Sequence, residues 1–219
     1  MIMLEPKSPR GIVLFGAGAG GDPDRYRSLL EYLARSGFVV LAPRCERFDP
    51  RTVTPEQMVA RPASMLTALG KRLQDDLPVT AVGHSVGGWA ALCLVGAIPY
   101  GRDGQPLPVP TESKISRLVL FAPTVGWFQA PGSLATVRAP MKVFVGDEDT
   151  VTPPDSASLL RQAPAEVDVK VCPNVGHFDF MDTPPPGITS NPQLDRAAFL
   201  EDLAVQTTAF VDAPSGRPR

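Results

Sequence analysis

Val79-Thr80-Ala81-Val82-Gly83-His84-Ser85-Val86-Gly87-Gly88-Trp89-Ala90-Ala91 reads as a short apolar strand, a turn built on glycines and an apolar helix. Ser85 stands between Gly83 and Gly87 in the pattern G-x-S-x-G. A serine on so sharp a strand-to-helix turn takes a strained backbone conformation, and small residues two before and two after it let neighbouring chain pass close. The turn pushes the hydroxyl out above the sheet, and the helix that follows supplies backbone N–H groups and positive potential. By composition alone the bare pattern is expected about 0.1 times in a chain of this length. Its placement between a strand-like and a helix-like run gives it weight as a nucleophile; an idle serine in a glycine-rich turn is the bland alternative.

Working outward, short apolar runs alternate with helical periodicity. Strand-like runs lie at residues 11–15, 38–42, 79–82, 117–122, 141–146 and 167–172. Asp22-Pro23 opens a helix with Tyr26, Leu29, Leu30 and Leu33 on its apolar face, ended by Gly37. Thr54-Pro55, with Gln57 placed for a capping box, opens a second that Pro62 is expected to interrupt or restart. Thr152-Pro153 and Asn191-Pro192 open two more, and residues 100–114 read as a loop. This alternation predicts an α/β fold, a mostly parallel sheet of about six strands with helices on both faces and no large cap domain. The expected organisation is a lead-in over residues 1–10, one domain over residues 11–211 and a tail over residues 212–219. At 219 residues, with 43% hydrophobic and 20% charged, the chain is ordinary globular material.

Ligands of such sheets bind beyond the carboxyl ends of the strands, which directs the search to the turns after Phe15, Val82, Val145 and Cys172. A serine hydroxyl needs a base. The chain has two histidines. His84 adjoins Ser85 in the tight turn, where its side chain should project away from the hydroxyl. That leaves His177, directly after the last strand. A histidine base needs a carboxylate to hold its tautomer, and Asp147, Glu148 and Asp149 follow the strand at 141–146. Asp149 is far enough past the strand to lean toward the histidine loop; Asp147 is the runner-up, and Asp179 and Asp182 are weaker candidates within the histidine's own loop.

The order Ser85, Asp149, His177 is that of the α/β-hydrolase fold, and the chain resembles that superfamily from about Gly11 to Phe210, in particular its small dienelactone-hydrolase-like and chlorophyllase-like serine esterases. Gly83-His84-Ser85-Val86-Gly87-Gly88 resembles the nucleophile elbow, Gly146-Asp147-Glu148-Asp149 the acid loop with the acid at Asp149, and Gly176-His177-Phe178 the histidine loop. Dienelactone hydrolases proper carry cysteine as nucleophile, so the serine argues against that activity. Gly18-Ala19-Gly20-Gly21 resembles the oxyanion loop, with Ala17 where the family has histidine. The resemblance implies oxyanion donors at the main-chain N–H groups of Ala19 and Val86.

Gly16, Gly18 and Gly21 also spell a dinucleotide fingerprint, but the second strand ends Leu41-Ala42-Pro43-Arg44 without the acid a ribose needs. No organic cofactor or metal is implied. A net charge of −2 supplies no argument for nucleic acid, no apolar run is long enough to span a bilayer, and the N-terminus lacks a secretory pattern. Cys45, Cys93 and Cys172 are odd in number and without metal-ligand spacing, which fits free thiols in the cytoplasm. The expected partner is a small or medium ester. Trp127 and Phe128, just past a strand end, are candidate pocket residues, and residues 100–110 and Pro184-Pro185-Pro186 candidate walls. An acyltransferase or peptidase with the same three residues, or a non-catalytic binding protein of this fold, are the alternatives.

Overall fold

Continuous apolar runs become strands here because both faces of the sheet are covered. Along Gly11–Gly16, Ile12 and Leu14 enter one core and Val13 and Phe15 the other. The computed structural model describes residues 1–213, the side chain of Lys71 excepted. Its strands are β1 (Ile2–Leu4), β2 (Gly11–Gly16), β3 (Phe38–Ala42), β4 (Val79–His84), β5 (Ile115–Phe121), β6 (Met141–Gly146) and β7 (Val167–Cys172). They form one seven-stranded sheet in the order β1-β3-β2-β4-β5-β6-β7, parallel except for β1.

The helices are α1 (Arg27–Arg35), α2 (Pro55–Leu69), α3 (Val86–Leu94) and α4 (Arg196–Asp212). Buried residues of α1 and α4 join the core on one face of the sheet, and those of α2 and α3 the core on the other. Since β3 lies on one side of β2 and β4 on the other, the strand order reverses at β2/β4. A crevice forms at the carboxyl ends of strands at such a point. The turns after β2 and β4 meet there.

Four expectations are corrected. The lead-in contains β1, which pairs antiparallel with β3 through Ile2 and Ala42, Met3 and Leu41, Leu4 and Val40; three residues are too few for a period to be read. Pro62 does not interrupt α2, which runs unbroken from Pro55 to Leu69. Burial of Met58, Arg61, Pro62, Met65 and Leu69 along one face holds the helix across the missing N–H. The segment after Thr152-Pro153 is a 3-10 helix, Pro154–Gln162, whose buried Ala157 and Leu160 are three residues apart, as that geometry requires. The last helix begins at Arg196, capped by Asp195, whose carboxylate accepts from the Ala198 N–H at 3.1 Å. Asn191 instead closes a local turn, accepting from the Gln193 N–H at 2.8 Å.

The capping box at Thr54 is present, with Thr54 Oγ1 accepting from the Gln57 N–H and Gln57 Oε1 from the Thr54 N–H. Of the expected tail, Asp212 ends α4, and residues 214–219 lie outside the described residues. All three cysteines are free, Cys93 and Cys172 buried and Cys45 half-buried. Among the described residues no helix is long and apolar enough to cross a membrane.

Candidate active site

The site is built from four turns at the carboxyl edge of the sheet. The turn after β4 carries Ser85 at φ 54°, ψ −117°, a left-handed conformation rare for a residue with a side chain. Its neighbours make that turn possible. A Cβ on Gly83 would stand 2.3 Å from the Gly87 carbonyl, and one on Gly87 would stand 1.9 Å from the Gly16 carbonyl oxygen. The backbones of β2, β4 and α3 thus touch where a methyl group cannot fit. Gly87→Ala is accordingly expected to destabilise the fold by at least about 3 kcal/mol, the upper range for overpacking a tight interior, read as a lower urea midpoint; an unchanged midpoint would refute this account of the turn. The Ser85 main chain is held on both sides: its N–H donates to the Phe121 carbonyl at 2.9 Å, and its carbonyl accepts from the Thr124 N–H at 3.1 Å.

Ser85, His177 and Asp149 are brought together from positions far apart in sequence. Ser85 Oγ lies 3.0 Å from His177 Nε2, and His177 Nδ1 lies 2.8 Å from Asp149 Oδ2. All three are buried. Asp149 is fixed by its own loop: Oδ1 accepts from the N–H groups of Val151 at 2.8 Å and Thr152 at 2.7 Å, and Oδ2 accepts from the Thr152 hydroxyl at 2.8 Å. Burial alone would raise the pKa of this carboxyl. The hydrogen bond and charge of His177 and the hydrogen bonds from Thr152 outweigh that desolvation and hold it below the ordinary carboxylate value. With Asp149 ionised, His177 carries its proton on Nδ1 and presents a lone pair on Nε2 to the Ser85 hydroxyl.

The other acids are elsewhere. Asp147 is exposed. Asp179 braces the histidine loop, accepting from the Gly176 N–H at 2.8 Å, and Asp182 accepts from the Ser28 N–H at 2.8 Å, tying that loop to α1.

The loop after β2 passes close to Ser85: a Cβ on Gly18 would stand 3.5 Å from Ser85 Cβ. Among the described residues the N–H groups of Ala19 and Val86 have no acceptor, and Val86 is the first residue of α3. Both remain available to a ligand oxygen. The Ala19 carbonyl is held from below by the buried Arg61, whose Nη2 donates to it at 2.9 Å and to the Glu46 carbonyl at 2.7 Å. Arg61 also stacks its guanidinium on Phe48, 4.6 Å from the ring centroid. The Thr124 hydroxyl also lies close, its Oγ1 3.5 Å from Ser85 Oγ.

Of the two aromatic candidates for the pocket, Phe128 is excluded. Phe128 has 0% of its surface exposed and stacks on the buried Trp89 with ring centroids 6.4 Å apart, so it is core. Trp127 is half-buried and meets the same Trp89 edge-on at 6.2 Å. Trp89, one turn into α3, draws both rings inward.

Sequence reasoning did not find Thr152, Arg61 or Tyr26, and it gave His84 no task. His84 makes no contact with the Ser85 hydroxyl. Its Nε2 lies 2.9 Å from the His177 carbonyl oxygen and its Nδ1 2.7 Å from Tyr26 Oη, with its ring centroid 4.8 Å from that of His177. Burial, aided by the neighbouring His177, pushes the His84 pKa down to about 3, so its ring is neutral at ordinary pH. The signal available beforehand was polarity in the wrong place. A histidine ending a buried strand, and a hydroxyl on the apolar face of a helix, both need partners once buried.

No protein-family model matches the sequence, and no curated protein matches it. Solved structures do. A thermophilic esterase from the planctomycete Thermogutta terrifontis, with propionate bound, superposes with a TM-score of 0.65 at 19% identity, over 99% of this chain and 90% of that one. The apo form of Thermogutta terrifontis esterase 2, and the same esterase phosphorylated by paraoxon, each superpose with a TM-score of 0.66 at 19% identity over the same shares of the two chains. The fold is that of the α/β-hydrolases. In it α1–α4 flank the sheet, with no large cap between β5 and β6.

Proposed function

We propose that the chain is a serine hydrolase that cleaves small to medium carboxylic esters through an acyl-enzyme on Ser85. One observation carries the reading: a strained serine at the elbow position, 3.0 Å from an imidazole whose other nitrogen is 2.8 Å from a buried carboxylate. His177 Nε2 accepts the hydroxyl proton as Ser85 Oγ forms a bond to the ester carbonyl carbon. The carbonyl oxygen gains negative charge between the Ala19 and Val86 N–H groups, and the imidazolium is balanced by Asp149. His177 then gives the proton to the departing alcohol as the C–O bond breaks. Water, deprotonated by the same nitrogen, adds to the acyl carbon, and the proton returns to Ser85 with release of the acid. No cofactor or metal is needed for these steps.

Thr124 beside Ser85 Oγ, and Phe178 edge-on to the His177 imidazole at 5.1 Å, carry no charge and suit an uncharged acyl group. The esterase activity of the structural neighbours supports the same class, and the sequence pattern supports a place near the dienelactone-hydrolase-like and chlorophyllase-like esterases. The test is hydrolysis of p-nitrophenyl esters from acetate to octanoate, with mass spectrometry after paraoxon treatment. The expected result is a rate maximum at a short or medium chain and one diethylphosphoryl group on Ser85. Rates equal to buffer across the series, with no adduct, would overturn the reading.

A further inference from the structure

Besides Ser85, His177 and Asp149, the carboxyl edge of the sheet buries a second polar chain, and its proton positions follow from chemistry alone. The His177 carbonyl only accepts, so His84 Nε2, 2.9 Å away, carries a proton. A neutral ring then has a lone pair on Nδ1, so the Tyr26 hydroxyl, 2.7 Å away, donates to it. The Tyr26 oxygen keeps its own lone pairs and accepts the Gly18 N–H at 3.3 Å. Every member is buried: Tyr26 and His84 are each 2% exposed, and Tyr26 is wedged against Phe15 with ring centroids 4.8 Å apart. The chain joins three turns: Gly18 is next to Ala19, His84 next to Ser85, and the acceptor belongs to His177 itself.

We propose that Tyr26 and His84 are positioning residues for ester hydrolysis: the His177 carbonyl fixes His84 as its Nε2–H tautomer, the Tyr26 hydroxyl holds the ring by donating to Nδ1, and the Nε2–H pins the main chain of the base to the nucleophile turn. This rests on the function proposed above. His84 touches no reacting atom. It acts through the His177 carbonyl, which sets where the His177 ring hangs relative to Ser85 Oγ. The other His84 tautomer would point a lone pair at that carbonyl oxygen and push the base loop away. A neutral His84 also leaves His177 free to take up a proton, since a second cation 4.8 Å from its ring would oppose that charge. The groups facing His84 are Tyr26, His177 and, one residue further, Asp149.

Removing the Tyr26 hydroxyl leaves the His84 Nδ1 lone pair buried without its donor and frees the imidazole to turn away from the His177 carbonyl, while the Tyr26 ring stays in place. Tyr26→Phe is expected to lower kcat about 10- to 100-fold, the effect of displacing a reacting group by up to about 1 Å, with KM within about twofold. A glutamine at position 84 places an amide nitrogen the same number of bonds from Cβ as His Nε2, where it can donate to the His177 carbonyl, and it has no ring Nδ1 to be left without a donor. The double variant Tyr26→Phe/His84→Gln is therefore expected to recover kcat to within about fivefold of wild type. A tyrosine that acted by packing alone would not be rescued this way.

With two histidines in the chain, nitrogen-15 histidine labelling reads both tautomers directly by NMR. Wild type is expected to show His84 as Nε2–H and His177 as Nδ1–H, and Tyr26→Phe to keep His84 as Nε2–H with its Nδ1 resonance shifted by loss of the donor. His84 found as Nδ1–H in wild type, Tyr26→Phe with wild-type kcat, or a double variant no faster than the single, would each overturn the proposal. If Tyr26→Phe does not fold, His84→Gln within fivefold of wild type against His84→Leu reduced at least tenfold makes the same distinction, and equal rates for these two overturn it. A wild type that hydrolyses no ester refutes the proposed function, and the tautomer measurement then decides the relay separately.

Discussion

Ser85→Ala is expected to lower kcat for p-nitrophenyl butyrate by on the order of 10⁶, leaving KM within a few fold and the thermal melting curve unchanged. The magnitude follows from the number of steps that pass through one atom. In the proposed mechanism Ser85 Oγ forms the covalent bond, and without it His177 has no nucleophile to activate at 3.0 Å and only solvent water remains. The substitution keeps the Cβ, and the turn is held by main-chain hydrogen bonds to Phe121 and Thr124 that alanine also makes. The backbone strain at φ 54° is the same for alanine and serine. Stability and activity are thereby separated. A residual rate about 10³-fold above uncatalysed hydrolysis is consistent with donors at Ala19 and Val86 that survive the change. Substrate depletion under identical conditions, with a fluorophosphonate probe to count reactive serines, checks both halves. Ser85→Ala with more than a hundredth of wild-type kcat would mean that another residue is the nucleophile.

The elbow was legible because backbone constraint is written directly into residue type. Gly83 and Gly87 are glycines since β2, β4 and α3 touch there, and no other residue satisfies those contacts. The strands were legible for a similar reason: a strand covered on both faces is a short unbroken apolar run, and β2 and β3 have no polar side chain to confuse the period. His177 was reached by elimination, which a chain richer in histidine would not have permitted.

Choice between Asp147 and Asp149 was beyond spacing alone. It is made by Val151 and Thr152, whose N–H groups turn one carboxylate inward while Asp147 faces solvent. Contacts across the fold were invisible for the same reason. Tyr26 and His84 are 58 residues apart, and Arg61 and Ala19 are 42 apart. Tyr26 read as one more apolar residue on a helix, and its hydroxyl gained a meaning only when His84 was set beside it. Phe128 was misplaced by the converse error: an aromatic residue past a strand end suggested a pocket, whereas Trp89 in the adjacent helix claims it for the core.

Asp149→Asn is expected to lower kcat by about 10⁴ while Asp147→Asn stays within about twofold of wild type. An asparagine at 149 is nearly isosteric, so the loss comes from which way its amide must face. Two N–H donors, from Val151 and Thr152, point at the position of Oδ1, at 2.8 and 2.7 Å. The amide oxygen has to occupy that place, because an NH₂ group there would meet two donors head-on. The NH₂ group is then left at the position of Oδ2, 2.8 Å from His177 Nδ1. Donor would face donor unless His177 moves its proton to Nε2. That tautomer directs an N–H at Ser85 Oγ and cannot accept the hydroxyl proton, and the charge that balanced the imidazolium is lost as well. The nitrogen-15 spectrum should therefore show His177 switch from Nδ1–H to Nε2–H in Asp149→Asn and remain Nδ1–H in Asp147→Asn. Retention of a tenth or more of wild-type kcat by Asp149→Asn, or an unswitched tautomer, would remove Asp149 from the proposed mechanism.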